Sequence, residues 1–164
     1  MKILMVNKFL YRRGGSETYC FALSEALRRC GHEVIFFAMQ NDKNLHCEQE
    51  KYFVKNIDYR SSKNKLKKIK QFFKLIYSFE AKRNFEKLIL DEKPDCIINI
   101  VDATNLERNL YLTTQLLETD VPLVIALNMI DVIRKRKDEI DVALLSKKIG
   151  VPVVAISAQR GENI

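Results

Sequence analysis

Five short, nearly uninterrupted apolar runs constrain this chain more than any other feature: "KILMV" at 2–6, "EVIFFA" at 33–38, "CIINIV" at 96–101, "VPLVIAL" at 121–127 and "VPVVAI" at 151–156. A strand with one wet face alternates apolar and polar residues, whereas a continuous run must be covered on both sides. Helical-period segments separate most of the runs, so strand and helix alternate along the chain. That pattern argues for an α/β fold built on one doubly wound parallel sheet with right-handed crossovers and helices on both faces. Ligands of such sheets bind beyond the carboxyl ends of the strands, near the point where strand order reverses. The loops to examine are therefore 7–16, 102–105, 128–131 and 157–161.

Local signals place the elements. The first helix is expected from Ser16, an N-cap residue type, to Gly31 at C′, with Phe21, Leu23, Ala26 and Leu27 turned inward. Residues 39–50 read as loop, and "KYFVKN" at 51–56 reads as a short third strand. A basic helical stretch covers about 63–91, with Leu66, Ile69, Phe73 and Ile76 forming its inward stripe, and Pro94 ends it. "TNLE" at 104–107 has the spacing of a capping box for a helix running to Glu118, whose apolar contacts include Leu106, Leu110, Leu116 and Leu117. Asp141 caps "VALLSKKIG", which Gly150 ends.

With 164 residues and 47% hydrophobic content, the chain reads as one domain with a proper core. No run approaches the roughly 18 apolar residues of a membrane span, and "MKILMV" lacks a cleavage site, so a cytoplasmic location is expected. Cys20, Cys30, Cys47 and Cys96 show neither C-x-x-C spacing nor a nearby His, which argues for reduced, mostly buried thiols and against a metal site. The net charge of +7 is concentrated between Lys63 and Lys87. That helix could seat the protein on the anionic inner face of a membrane; a solvated basic face is the simpler reading. Nucleic acid is not among the expected partners.

Two resemblances meet in "EKPDCIINIVDATN". The first loop "NKFLYRRGGSETY", the helix-to-strand turn "ALRRCGHEV" and "EKPD" resemble the amino-terminal domain of family-four, two-Rossmann-domain glycosyltransferases, over about residues 1–95. That likeness implies a phosphate or donor loop at Arg12, Arg13, Gly14, Gly15 and Ser16, where glycine backbone approaches a diphosphate at a helix start. From Lys93 onward, "INIVDATNLERNLYLTTQLLE", "VPLVIALNMID" and "VPVVAISAQRGENI" resemble the second half of the GTP-binding domain of bacterial ferrous iron transport protein B. The likeness assigns Asn128, Met129 and Asp131 to an Asn-x-x-Asp guanine-reading motif, and Ser157, Ala158 and Gln159 to a second base-contacting loop. A carboxylate suits guanine because it accepts both N1–H and the N2 amine. In both families the fourth strand lies beside the first, so the expected Rossmann-like strand order is 3-2-1-4-5-6, with residues 1–95 and 96–164 as halves of one hybrid domain.

The five glycines, at 14, 15, 31, 150 and 161, do not form G-x-x-x-x-G-K-[ST]. A bidentate carboxylate contact contributes about 1.5–3 kcal/mol, whereas micromolar affinity needs about 8. The expectation is a hybrid, P-loop-less nucleotide-binding domain with at most weak binding of GDP or GTP, no hydrolysis, no resident cofactor and no catalytic residue. A glycosyltransferase fragment needing a partner domain and a folded chimera without a ligand are the alternatives. The iron permease does not lie within these residues, so transport by this polypeptide alone is not expected.

Overall fold

The structure is a computed structural model that describes residues 1–12, 14–55, 79–157 and 160. Its strands are β1 (Lys2–Val6), β2 (Glu33–Phe37), β3 (Cys96–Asp102), β4 (Leu123–Asn128) and β5 (Val153–Ala155). Its helices are α1 (Gly15–Arg29), α2 (Phe79–Glu92), α3 (Leu106–Leu117), α4 (Ile130–Lys135) and α5 (Val142–Ile149). Among the described residues the strands form one sheet in the order β2-β1-β3-β4-β5, and every pairing is parallel. The expected α/β class and the adjacency of the first strand to residues 96–101 both hold, with Ile3 opposite Cys96 and Val6 opposite Asn99.

The six-strand order is corrected to five. Residues 48–52 wind into a 3-10 turn, and from "KYFVKN" only Val54 pairs, in a single parallel bridge to Met39 beyond the end of β2. Gln40 N–H donates to Val54 O at 2.7 Å and Val54 N–H to Ala38 O at 3.2 Å. The approach is strand-like, but it begins where β2 has already ended, so no ladder develops among described residues. Asn56 and the inward stripe 66–76 lie outside the described residues, as does most of the basic segment 63–87 proposed to meet a membrane. No described helix is long and apolar enough to cross a membrane.

The continuous apolar runs are double-faced for the reason their composition suggests. Ile3, Met5, Val34 and Phe36 pack under α1 with Tyr19 and Cys20. Leu4, Val6, Ile35 and Phe37 point the other way, to Phe85 and Leu88 of α2 and Leu116 of α3. Leu4, Val6, Leu88, Ile97 and Leu116 are completely buried, and each such side chain contributes on the order of 1.5–3 kcal/mol. Ala26 is exposed, contrary to expectation, because α1 presents Glu17, Cys20 and Ser24 inward instead. Its end is as expected: Gly31 at φ +81° lets Gly31 N–H reach Arg28 O and His32 N–H reach Leu27 O.

Candidate functional site

All four loops singled out above leave the sheet at its carboxyl edge. Strand order reverses between β1 and β3, so the loops after these two strands flank the switch point. The loops after β4 and β5 lie beside them, with Asp102 and Asn128 paired across β3 and β4.

The β4 and β5 loops are tied together. Ile156 N–H donates to Leu127 O at 2.9 Å, and Ile130 N–H donates to Ile156 O at 3.4 Å. Asn128, 1% exposed, ends β4, and its Oδ1 accepts Met129 N–H at 2.8 Å. Met129 then takes a left-handed conformation, φ 68° and ψ 27°, which turns the chain directly into α4. This turn brings Asp131 into the first turn of that helix, where only 3% of its surface is exposed. Ser157, fully buried, donates its hydroxyl to Asp131 Oδ1 at 2.9 Å. The other oxygen, Oδ2, is buried and has no hydrogen-bond partner among the described residues. Leaving a buried acceptor unmatched costs about 1–3 kcal/mol, and more when it is charged. A ligand with adjacent N–H donors would remove that cost. Ala158 and Gln159 lie outside the described residues.

The β1 loop has another character. Phe9 and Leu10 are buried, Asn7 Nδ2 donates to Phe9 O at 3.2 Å, and Arg12 is exposed. Ser16 does not cap α1. Gly14 occupies that position in extended backbone, and its carbonyl accepts Thr18 N–H at 3.1 Å and the Thr18 hydroxyl at 2.9 Å. Ser16 instead donates its hydroxyl to Glu17 Oε2 at 3.0 Å. The same oxygen stands 3.3 Å from where a Cβ on Gly14 would be, so a carboxyl group already lies at the glycine pair. Glu17 was not singled out by the sequence pattern; an acidic residue in a first helical turn was the available signal. Arg13 lies outside the described residues.

After β3, the expected capping box does not form: α3 has Asn105 at its N-cap without a side-chain cap hydrogen bond. Asp102, not Thr104, accepts: its Oδ1 takes Thr104 N–H at 2.8 Å and the Thr104 hydroxyl at 2.7 Å, and its Oδ2 takes Asn105 Nδ2 at 3.1 Å. A 3-10 turn, Ala103–Asn105, forms first, and α3 begins only at Leu106. Asp102 is thus fully engaged locally. The D-x-T spacing was the sequence signal for this turn.

Burial pushes the Cys20 thiol up to about 12 and raises Cys47 and Cys96 as well, while Cys30 is exposed at the end of α1. Among the described residues no group of three potential ligands could hold a metal.

Comparison with known proteins brings these features together. A family model described as ferrous iron transport protein B matches residues 55–164. The Fe(2+) transporter FeoB of Salmonella typhimurium is 53% identical over 76 residues, 46% of this chain and 10% of the relative. The transporter of Escherichia coli K12 is 49% identical over the same length. The chain thus spans about a tenth of the length of these relatives. The FeoB G-domain of Methanococcus jannaschii matches with TM-score 0.56 and 29% identity, covering 97% of this chain and 86% of that one. NFeoB of S. thermophilus bound to mGMPPNP matches with TM-score 0.62 and 26% identity, covering 99% of this chain and 56% of that one.

These findings correct the functional expectation. The family match starts at residue 55, well before the expected joint at 93–96, and the structural matches run across nearly the whole chain into nucleotide-bound relatives. The hybrid, P-loop-less domain with at most weak binding and no hydrolysis is overturned, as are the glycosyltransferase fragment and the ligand-free chimera. The first half misled because strand, loop, helix and strand in a parallel sheet look alike in both families.

Proposed function

Because the chain belongs to the ferrous iron transport protein B family, we propose that it is a guanine-nucleotide-binding domain of the GTPase type serving ferrous iron transport. Asp131 reads the guanine edge, Asn128 and Met129 shape its loop, and Ser157, Ala158 and Gln159 supply the second contact. The observation that carries this reading is the Asp131 carboxylate, buried, oriented by Ser157 and left with one acceptor open among the described residues. Guanine N1–H and N2–H are adjacent donors that match such an acceptor, whereas adenine presents an acceptor at N1. The related NFeoB structures bound to mGMPPNP and to GDP·AlF4⁻ with K⁺ support the same ligand class.

The phosphates would extend toward the β1 loop, where Arg12, Arg13 and the amides of Gly14, Gly15 and Ser16 are the candidates.

Titration calorimetry with GDP, GTP, ADP and UDP tests the reading. GDP and GTP should bind, and Asp131→Ala should weaken them about 10- to 100-fold, the loss of a charge-assisted pair. Equal or absent heats for all four nucleotides would overturn it. Phosphate release from GTP, measured in the same samples, extends the proposal from binding to turnover if it exceeds release in buffer.

A further inference from the structure

Resting on that reading, we propose that Asn44 is a positioning residue for the phosphate end of the site. It acts through the backbone of the β1 loop. Asn44 lies in the stretch after β2, outside the part of the chain that the family model matches. It is 9% exposed, and both ends of its amide are used. Oδ1 accepts Leu10 N–H at 3.0 Å, and Nδ2 donates to Met39 O at 2.8 Å. The two loops meet twice more on either side of it: Met39 N–H donates to Lys8 O at 2.9 Å, and Leu45 N–H donates to Leu10 O at 2.7 Å.

Asn44 therefore clips residues 8–10 to the end of β2, with Phe9 and Leu10 buried beneath. Two residues further on, the chain presents Arg12 and then the Gly14–Gly15 backbone at the carboxyl edge of β1, next to the switch point. An acceptor and a donor are needed from one short side chain at fixed spacing. Asparagine supplies both, aspartate supplies only the acceptor, and alanine supplies neither.

A clip of this kind has a signature that general destabilisation lacks. The base end of a guanine ligand is bound by the loops after β4 and β5, on the far side of β3 from β2. Loosening the β1 loop should therefore weaken what depends on phosphate and spare what depends on guanine.

The test is calorimetry with guanosine and GDP on the wild-type chain and on Asn44→Ala, with thermal melts of both. The wild type should bind GDP more tightly than guanosine. Asn44→Ala should weaken GDP about fivefold, the equivalent of one net hydrogen bond, and leave guanosine unchanged. Should Asn44→Ala fail to fold, Asn44→Asp, which keeps the acceptor for Leu10, is read by the same ratio. Slow amide exchange at Leu10 in the wild type is a further requirement of the clip. Equal losses for both ligands, an unmoved ratio, or a wild type that does not prefer GDP would each overturn the role of Asn44 while leaving guanine recognition standing. A wild type that binds neither ligand would overturn guanine recognition, and the role of Asn44 with it.

Discussion

The loop after β1 and the loops after β4 and β5 leave the same edge of the same sheet, yet they distribute polar groups in opposite ways. Around β1 the polar inventory is met from within: Asn44 Oδ1 takes Leu10 N–H while its Nδ2 donates to Met39 O, and Glu17 lies against Gly14 and takes the Ser16 hydroxyl. Around β4 and β5 it does not close, because Asp131 keeps one buried oxygen without a partner among the described residues. A fold that leaves a carboxylate oxygen unmatched while satisfying its twin tolerates a cost that a bound ligand can offset. The difference separates a loop whose polar groups are held from within from a pair of loops that keeps one buried acceptor open among the described residues.

The largest expected effect breaks the open side of this comparison. Asp131→Asn keeps a group within reach of the Ser157 hydroxyl but places an amide donor where guanine also donates. GDP should weaken at least about tenfold. Xanthosine diphosphate, which has a carbonyl in place of the guanine amine, should overtake it. Competition between the two nucleotides measures this, and unchanged preference for GDP would remove Asp131 from the base site.

A smaller effect sharpens the closed side. Glu17→Gln keeps the acceptor for Ser16 and removes a carboxylate from the neighbourhood of Gly14. The GDP-to-guanosine affinity ratio should rise about threefold to fivefold, the scale of one screened charge contact. A ratio that stays the same would mean that the phosphates do not approach this loop.

The smallest concerns the opposite end of the strands, away from both loops. Glu92 accepts from Gln49 Nε2 at 3.1 Å and from Lys2 Nζ at 3.2 Å. The hydrogen bond from Gln49, and then that from Lys2, hold its carboxyl below the ordinary value of 4.5. A depressed carboxyl contributes stability that is present above that ordinary value and is lost as pH falls through the lower, folded one. Melting curves from pH 6 down to 3 should show Glu92→Gln less sensitive to acid than the wild type. The difference should be no more than about 1 kcal/mol, the ceiling for a pair this near the surface. Nucleotide affinity at pH 7 should not change in this variant.

Much of the fold was legible because burial on two faces leaves a direct compositional trace. The runs at 2–6, 33–37, 96–102 and 123–128 became strands, and Gly31, Asp141 and Gly150 ended or capped helices where their chemistry suggested. Asp141 accepts Leu144 N–H at 2.8 Å, and Gly150 adopts φ 83°. The errors share one cause. "KYFVKN" has strand composition, but pairing requires a partner edge at the right height, and β2 ends too early. Thr104 has cap chemistry, but Asp102, two residues earlier, is both stronger as an acceptor and better placed. Ala26 fits an apolar stripe, but the rotation of α1 on the sheet favours Cys20 and Ser24.

Local sequence was sufficient for the α/β class and for the helix stops, since each depends on burial or on backbone preference within a few neighbours. Only the assembled sheet decided that Ser157, 26 positions further along the chain, would hold one oxygen of Asp131 and leave the other without a partner among the described residues. It likewise decided that Asn44 would brace a loop more than thirty residues earlier. Hydrogen bonds between distant segments depend on strand order and register, and those emerge when the whole hydrophobic interior packs at once.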